Sequence, residues 1–204
     1  RDLHQADIGI LSNARCLSEG IDLPSLDAVA FINPKGSQVD IVQATGRAIR
    51  LSPNKNIGTI ILPVFIRPSD NVESSIELSN FKPVWDVINA LKSHDDALVI
   101  ELEEYRTELG RTRKRSIGSP SVKIHVDLPT SVDQSFADAL FTKIVERTSE
   151  SWSFYFGLLQ SYFEEFGHTR IPKRDTYEGH NLGTWCMAQR ARYRINKVSK
   201  QRIK

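Results

Sequence analysis

Two arginines and a glutamine fall on one face of a predicted helix at Ser37–Leu51. Gln43, Arg47 and Arg50 are spaced by four and three residues, which brings them to the same side of an α-helix. Paired guanidinium groups can clamp a phosphoryl group, because each presents a planar fork of donors to several oxygens. Gly46 in mid-helix costs roughly 1 kcal/mol relative to alanine, which predicts close packing or a closely approaching ligand. From this helix alone, a basic face that is simply exposed to solvent is an equally good interpretation.

The segment before this helix adds a second motif. Ala14–Pro24 reads ARCLSEGIDLP and follows a predicted strand at Ile8–Leu11. Its Gly-Ile-Asp, together with QATGRAIR at 43–50, resembles motifs V (Gly-x-Asp) and VI (QxxGRxxR) of superfamily 2 (DEAD/DEAH-type) helicases. The resemblance covers about residues 1–110. It implies the C-terminal part of the second RecA-like domain of an ATP-dependent nucleic-acid helicase or translocase.

The resemblance also implies a role for each motif residue. It assigns catalytic side chains that reach the γ-phosphate or position water (Gln43, Arg47, Arg50), residues that hold the nucleotide (Gly20, Asp22, Gly46) and residues that contact the nucleic-acid backbone (Arg15, Ser18). ATP and Mg²⁺ are the implied cofactors. The sequence contains neither a GxxxxGK[ST] phosphate loop nor a DExx motif, which in this family belong to the first RecA-like domain. We therefore expect that domain upstream in the same chain, and the fragment alone to be inactive.

Short apolar runs predict an α/β fold for the first part of the chain. Ala28–Ile32 and the longer, β-branched Ile57–Ile66 are typical of strands buried in a parallel sheet, with the arginine helix between them. Pro68–Asn80 is predicted to be a polar loop, and Pro83 to open a helix. An apolar stripe then continues to Leu109, and Asp95 interrupts it, which predicts two helices rather than one.

The remainder of the chain is predicted to be an all-α module joined by a linker. We predict domains at 1–110 and 135–204 and a linker at 111–134, with GRTRKRSIGSPS at 110–121 as its clearest part and an edge strand at Val122–Leu128. Helical stripes of aromatic residues after Ser135 are interpreted as core. The module resembles the helicase-associated domain of some bacterial helicases, in one repeat that is incomplete at its end. The matching residues are Trp152, Leu159, Tyr162, Gly167, His168, Ile171, Pro172, Leu182, Gly183, Trp185, Gln189, Arg190, Tyr193, Lys197 and Ile203.

Charge is unevenly distributed along the chain, with an acidic segment in the middle and a basic segment at the C-terminal end. Residues 81–110 contain seven acids and three bases, whereas residues 168–204 contain ten bases and two acids, a net charge of +8. The resemblance implies nucleic-acid binding, and the charge agrees with a polyanionic partner. We expect DNA as that partner more than RNA, although the residues do not distinguish the two. A predicted helix places Arg190, Arg194 and Lys197 on one side for phosphate contacts, with Tyr193 beside them for stacking.

Composition limits the class of protein. The chain has 204 residues, of which 40% are hydrophobic and 25% charged, which is typical of a soluble globular protein. It has no apolar run long enough to span a membrane and no signal peptide. Cys16 and Cys186 support neither a disulfide framework nor a metal site, which fits a reducing cytoplasm.

Two other functions remain open from the sequence. The chain could be a nucleic-acid-binding module that no longer hydrolyses ATP, or a protein-docking module with the acidic helices of 81–110 as its interface. It starts at Arg1 on structured sequence, and we expect a fragment cut at both ends. Translocation polarity, strand separation, pathway and oligomeric state are not specified by the residues.

Overall fold

The computed structural model describes a large part of the chain in two compact units. The described residues are 10, 27–32, 46, 58–67, 69, 71–112, 123–124, 132–199 and 202–203. The units divide between Asp96 and Ala97. Each is presented separately below.

The first unit contains a parallel pair of strands and two helices in its described part. Strand β1 (Ala28–Ala30) pairs with β2 (Thr59–Ile61), and Val29 lies opposite Ile60. Helix α1 spans Val72–Leu78 and α2 spans Lys82–Lys92. Val87 and Ala90 of α2 are almost fully buried and pack with apolar side chains of the strand segments, Phe31, Ile60 and Leu62. The parallel pairing confirms the predicted α/β class, with strands shorter than the apolar runs.

Helix α1 lies in a segment that was predicted to be a polar loop, so that prediction is wrong. Asn71 caps the helix, because its side-chain oxygen accepts a hydrogen bond from the Ser74 N–H at 2.8 Å. Ile76 is buried, which gives the short helix an apolar anchor. The predicted strand at Ile8–Leu11 has one described residue, Ile10, which lies outside any strand and is exposed.

The second unit is helical in its described part, as predicted. Its helices are α3 (Asp96–Thr112), α4 (Gln134–Thr148), α5 (Ser151–Phe166) and α6 (Leu182–Arg194). Helices α2 and α3 are separate, as the interrupted stripe predicted. Helix α5 ends at Gly167 with a left-handed φ of 71°, the C-cap conformation that glycine adopts most easily. The predicted strand at Val122–Leu128 lies largely outside the described residues, and Lys123 and Ile124 are not in a strand.

Helix α3 packs against both α4 and α5. The Tyr105 ring meets Phe141 edge-on at 5.3 Å between centroids. A Cβ added at Gly110 would lie 2.0 Å from the Phe154 carbonyl oxygen, and one added at Gly157 would lie 1.9 Å from the Thr107 carbonyl oxygen. The two glycines therefore let the backbones of α3 and α5 approach more closely than any side chain would allow.

These contacts differ from the predicted division of the chain. Gly110 was assigned to the start of the linker segment, but it is buried inside α3. Helix α3 lies almost entirely in the second compact unit, whereas the predicted domain 1–110 placed it with the strands. The boundaries 1–110, 111–134 and 135–204 stay a prediction.

Candidate nucleic-acid interface

Most motif residues with an implied role lie outside the described part of the chain. They are the ATP-site residues Gly20, Asp22, Gln43, Arg47 and Arg50 and the implied nucleic-acid contacts Arg15 and Ser18. Gly46 is described and is helical, as predicted. A Cβ at Gly46 would meet no atom of the described residues within 4 Å.

Helix α6 is held at its N-terminus by an apolar anchor and a close backbone contact. Leu182 is fully buried in a core with Leu158 of α5. A Cβ at Gly183 would lie 1.9 Å from the Pro172 carbonyl oxygen, so glycine is needed where the helix meets the preceding turn. The Thr184 hydroxyl donates a hydrogen bond of 2.9 Å to the Lys173 carbonyl. These contacts give the Leu-Gly-Thr-Trp sequence a structural role and fix the direction of α6.

The last turns of α6 present cationic and aromatic side chains to solvent. Arg190, Tyr193 and Arg194 are all exposed, and Tyr193 retains 58% of its accessible surface. Arg190 also donates a hydrogen bond to the Thr169 carbonyl at 2.5 Å, which orders its guanidinium. Tyr193 is thus not a core residue, and its ring is free to stack on a ligand. We call Arg190, Tyr193, Arg194 and Lys197 the basic face.

Lys197 belongs to this face but not to the helix, so its predicted helical placement is wrong. Helix α6 ends because Asn196 takes a left-handed φ of 52°. The Asn196 N–H donates to the Tyr193 carbonyl at 3.0 Å, and the Lys197 N–H donates to the Arg192 carbonyl at 2.9 Å. This pair of hydrogen bonds is the Schellman motif, with asparagine in place of the usual glycine. Lys197 closes this motif with its backbone N–H, and its side chain is exposed.

A cleft of about 380 Å³ opens beside the basic face. Its walls include Trp152 and Phe156 from α5 and Trp185 and Gln189 from α6, and Arg190, Tyr193, Arg194 and Arg202 also line it. We call this the aromatic cleft. Trp152 and Phe156 stack with centroids 5.0 Å apart and ring planes inclined by 12°. Trp185 stacks on Tyr155 at 5.6 Å.

The sequence did not predict this cleft, because the aromatic stripe was interpreted as core. The buried core around α5 and α6 consists of Leu158, Ile171, Tyr177, Leu182 and Cys186, whereas Trp152 and Phe156 are only partly buried. A helical stripe has the same spacing whether it faces a core or one wall of a cleft. The available signal was the excess of aromatic residues over aliphatic ones in SWSFYFGLLQSYFEEF.

The thiol of Cys186 lies beneath the cleft and is nearly fully buried. Burial raises the pKa of the Cys186 thiol, and the nearby charge of Arg190 opposes that shift only in part. The thiol is therefore protonated at neutral pH and is a poor nucleophile. Among the described residues, no three His, Cys, Asp or Glu side chains gather where they could hold a metal ion. Nor does any described helix have the length and apolarity needed to cross a membrane.

Two family models match the chain at opposite ends. The helicase conserved C-terminal domain matches residues 1–52, and the helicase associated domain matches residues 149–204. The chain therefore contains a superfamily 2 helicase C-terminal region followed by a helicase-associated domain, as its motifs predicted. The second match contains α5, α6 and the whole basic face.

Individual relatives agree with these matches. Probable helicases of African swine fever virus, among them those of a Kenyan and a Malawian isolate, are 35% identical over 86 residues, 42% of this chain and 9% of the viral protein. A solved structure of the ATP-dependent Type ISP restriction-modification enzyme LlaBIII bound to DNA has a TM-score of 0.51 and 33% identity. The matched region covers 75% of this chain and 10% of the restriction enzyme chain. The chain thus spans about a tenth of the length of these relatives.

Proposed function

We propose that this chain is the C-terminal part of an ATP-dependent nucleic-acid helicase or translocase, in which the helical module binds the nucleic acid. The observation that carries this proposal is the basic face of α6, because its cations are exposed and lie in the segment matched by the helicase-associated model. The same residues lie in the region of +8 net charge. DNA is the proposed partner, since the restriction enzyme of similar structure is bound to DNA. A cytoplasmic location is part of the proposal.

The motif residues have a separate role in the proposal. Arg47 and Arg50 act as arginine fingers on the γ-phosphate of ATP, and Gln43 positions water or phosphate. Gly20, Asp22 and Gly46 hold the nucleotide, and Arg15 and Ser18 contact the nucleic-acid backbone. The phosphate loop and the Mg²⁺ site come from a first RecA-like domain. In this arrangement ATP turnover, but not ATP binding, depends on Arg50.

The basic face holds nucleic acid mainly through phosphates. Arg190 and Arg194 are one helical turn apart, and Lys197 lies just beyond the end of the helix, after Ile195 and Asn196. Such cations displace condensed counterions from the phosphate backbone, so affinity falls steeply as salt concentration rises. Contacts to phosphate carry no base information, and each cation should contribute similarly on any sequence. Tyr193 adds stacking where a base is available.

The test is the salt dependence of DNA affinity for the 204-residue chain. Replacement of Arg190, Arg194 and Lys197 together by alanine removes three phosphate contacts. Because each contact contributes about 0.7 to 0.9 to the slope of log K against log salt concentration, the slope should become shallower by about 2 to 2.7. Fluorescence anisotropy of a labelled oligonucleotide at several salt concentrations measures this slope directly.

A matched control removes the same charge elsewhere. Lys82, Lys143 and Arg147 lie on α2 and α4, outside the basic face, and their triple alanine variant also loses three positive charges. This control should keep a slope close to the wild-type value. If both triple variants bind alike, or if binding is insensitive to salt, the proposal of a phosphate-binding face is refuted. A protein-docking module would then be the better interpretation.

A further inference from the structure

The aromatic cleft combines two kinds of ligand-binding groups in one place. Trp152 and Phe156 provide flat apolar surface, and Arg190 and Arg194 are shared between the cleft and the basic face. Its volume of about 380 Å³ falls in the range of small-ligand sites, about 300 to 1,000 Å³. A ligand that contacts both the aromatic rings and the arginines needs a flat aromatic part with an anionic part attached to it.

The indole of Trp152 already contacts a planar group in the structure. The Arg202 guanidinium lies over the indole ring, 4.9 Å from its centroid, and also pairs with the Glu150 carboxylate. Phe156 stacks on the same indole. A nucleobase is planar like the guanidinium and has a much larger π-surface, so it can replace Arg202 over Trp152. The displaced Arg202 then remains beside the cleft as a cation for the attached phosphate.

The amide of Gln189 is oriented for hydrogen bonding within this cleft. The Trp152 Nε1–H donates to the Gln189 Oε1 at 3.1 Å, which assigns the oxygen side of the amide. Among the described residues, the Gln189 Nε2 has no acceptor. Its two N–H groups are thus available to carbonyl or ring-nitrogen acceptors, which are found at the edges of nucleobases.

We propose that the aromatic cleft binds one unpaired nucleobase of a single strand whose phosphates lie on the basic face. This inference rests on the proposed nucleic-acid binding and specifies its substrate as a strand with an unstacked base. A base within a duplex has both faces covered by its neighbours, so it cannot stack on Trp152. Arg190 and Arg194 make the entrance electrostatically complementary to the phosphate that accompanies the base.

The experiment compares two single strands that differ only in their bases. One is oligothymidylate, and the other is an abasic deoxyribose-phosphate oligomer of the same length and charge. Both are titrated into the 204-residue chain carrying Trp85→Phe, so that Trp152 and Trp185 are its only tryptophans. Oligothymidylate should quench the tryptophan fluorescence and bind about 5- to 160-fold more tightly than the abasic oligomer, the range expected for stacking one base.

Two substitutions localise the effect. Trp152→Ala should remove the preference for oligothymidylate and leave the abasic affinity unchanged. Phe163→Ala is the matched control, since Phe163 is an exposed aromatic residue of α5 that does not line the cleft. This variant should keep the preference. The comparison in the protein with intact Trp152 needs no cleft variant, so the test holds even if Trp152→Ala fails to fold.

The outcomes separate this inference from the proposed function. Equal, salt-sensitive binding of both oligomers, without fluorescence quenching, would overturn the base pocket and leave the phosphate-binding face intact. Failure of both oligomers to bind would refute the proposed function, and the pocket with it. A preference for oligothymidylate that survives in folded Trp152→Ala protein would place base binding elsewhere and also overturn the inference.

Discussion

Gly157→Ala should destabilise the helical unit, although alanine is the better helix former. The added Cβ would lie 1.9 Å from the Thr107 carbonyl oxygen and 2.8 Å from the Arg111 backbone nitrogen. Both obstacles are backbone atoms of α3, so no side chain can rotate away. Restoring an ordinary contact of 3.4 Å would move the two helices apart by about 1.5 Å.

The change in the free energy of unfolding for Gly157→Ala is the balance between helix propensity and overpacking. Helix propensity favours alanine over glycine by about 1 kcal/mol. Overpacking of a well-filled contact typically costs about 1 to 3 kcal/mol, and a collision with backbone belongs at the upper end of that range. The separation would also loosen the contacts of Leu109 and Leu158, which are almost fully buried near this crossing. We therefore expect a net loss of about 1 to 2 kcal/mol in the free energy of unfolding.

Urea unfolding in the Trp85→Phe background provides the assay, because the remaining tryptophans, Trp152 and Trp185, both lie in the second unit. A lower midpoint at unchanged slope reports lost stability. Gly110→Ala should act similarly, since its Cβ would lie 2.0 Å from the Phe154 carbonyl oxygen. The double variant should lose less than the sum, because one separation of the helices relieves both clashes. An increase in stability for either single variant, as helix propensity alone predicts, would refute the reasoning.

Two further predictions concern helix caps in the same unit. Glu103 of α3 accepts hydrogen bonds from the Glu150 N–H at 3.0 Å and from the Ser153 hydroxyl, so Glu103→Ala should cost about 0.5 to 2 kcal/mol in the urea assay. Its exposed neighbour Glu104→Ala is the control, and an equal loss there would contradict the capping role. Hydrogen bonds from the Ser135 hydroxyl and the Phe136 N–H lower the pKa of Asp133. The stability that ionised Asp133 adds relative to Asp133→Asn should therefore be complete above about pH 4 and disappear as pH falls below it, and a pH-independent difference would contradict this.

Sequence periodicity was sufficient for the long helices, because each combines an apolar stripe with a recognisable end. Gly167 predicted the end of α5 and takes the expected left-handed conformation. Pro83 predicted α2, where proline occupies the first turn. Helix α1 was missed since it has only seven residues, and its cap, Asn71, is equally typical of a turn. Lys197 was placed on α6 because an asparagine after the C-cap, here Asn196, is a weaker signal for the end of a helix than glycine.

Tertiary contacts account for what the sequence could not predict. Gly110 precedes a basic, serine-containing segment and has the appearance of a helix end, but its role is to approach the backbone of α5. Only the crossing of two helices distant in sequence reveals that role. Similarly, Trp152 has the spacing of a core residue, and the position of Arg202 and Gln189 around it identifies a cleft wall. Candidate sites that form between helices cannot be predicted from local sequence patterns, because they depend on contacts between residues distant in sequence.

The helix contacts also indicate that the working module is larger than the matched helicase-associated segment. Arg190, Tyr193 and Arg194 of the basic face are on α6, and α6 is anchored through Leu182 to the core of α5. Helix α5 is held by α3 through Gly157 and the Glu103 cap. If nucleic acid binds at Arg190 as proposed, a force applied to it would be resisted partly by α3, which begins before the segment matched at 149–204. A shortened protein that begins after Thr112 would lack the α3 residues that contact Gly157 and Ser153. These contacts thus place α3 in the proposed nucleic-acid-binding module, as the helix against which α5 packs.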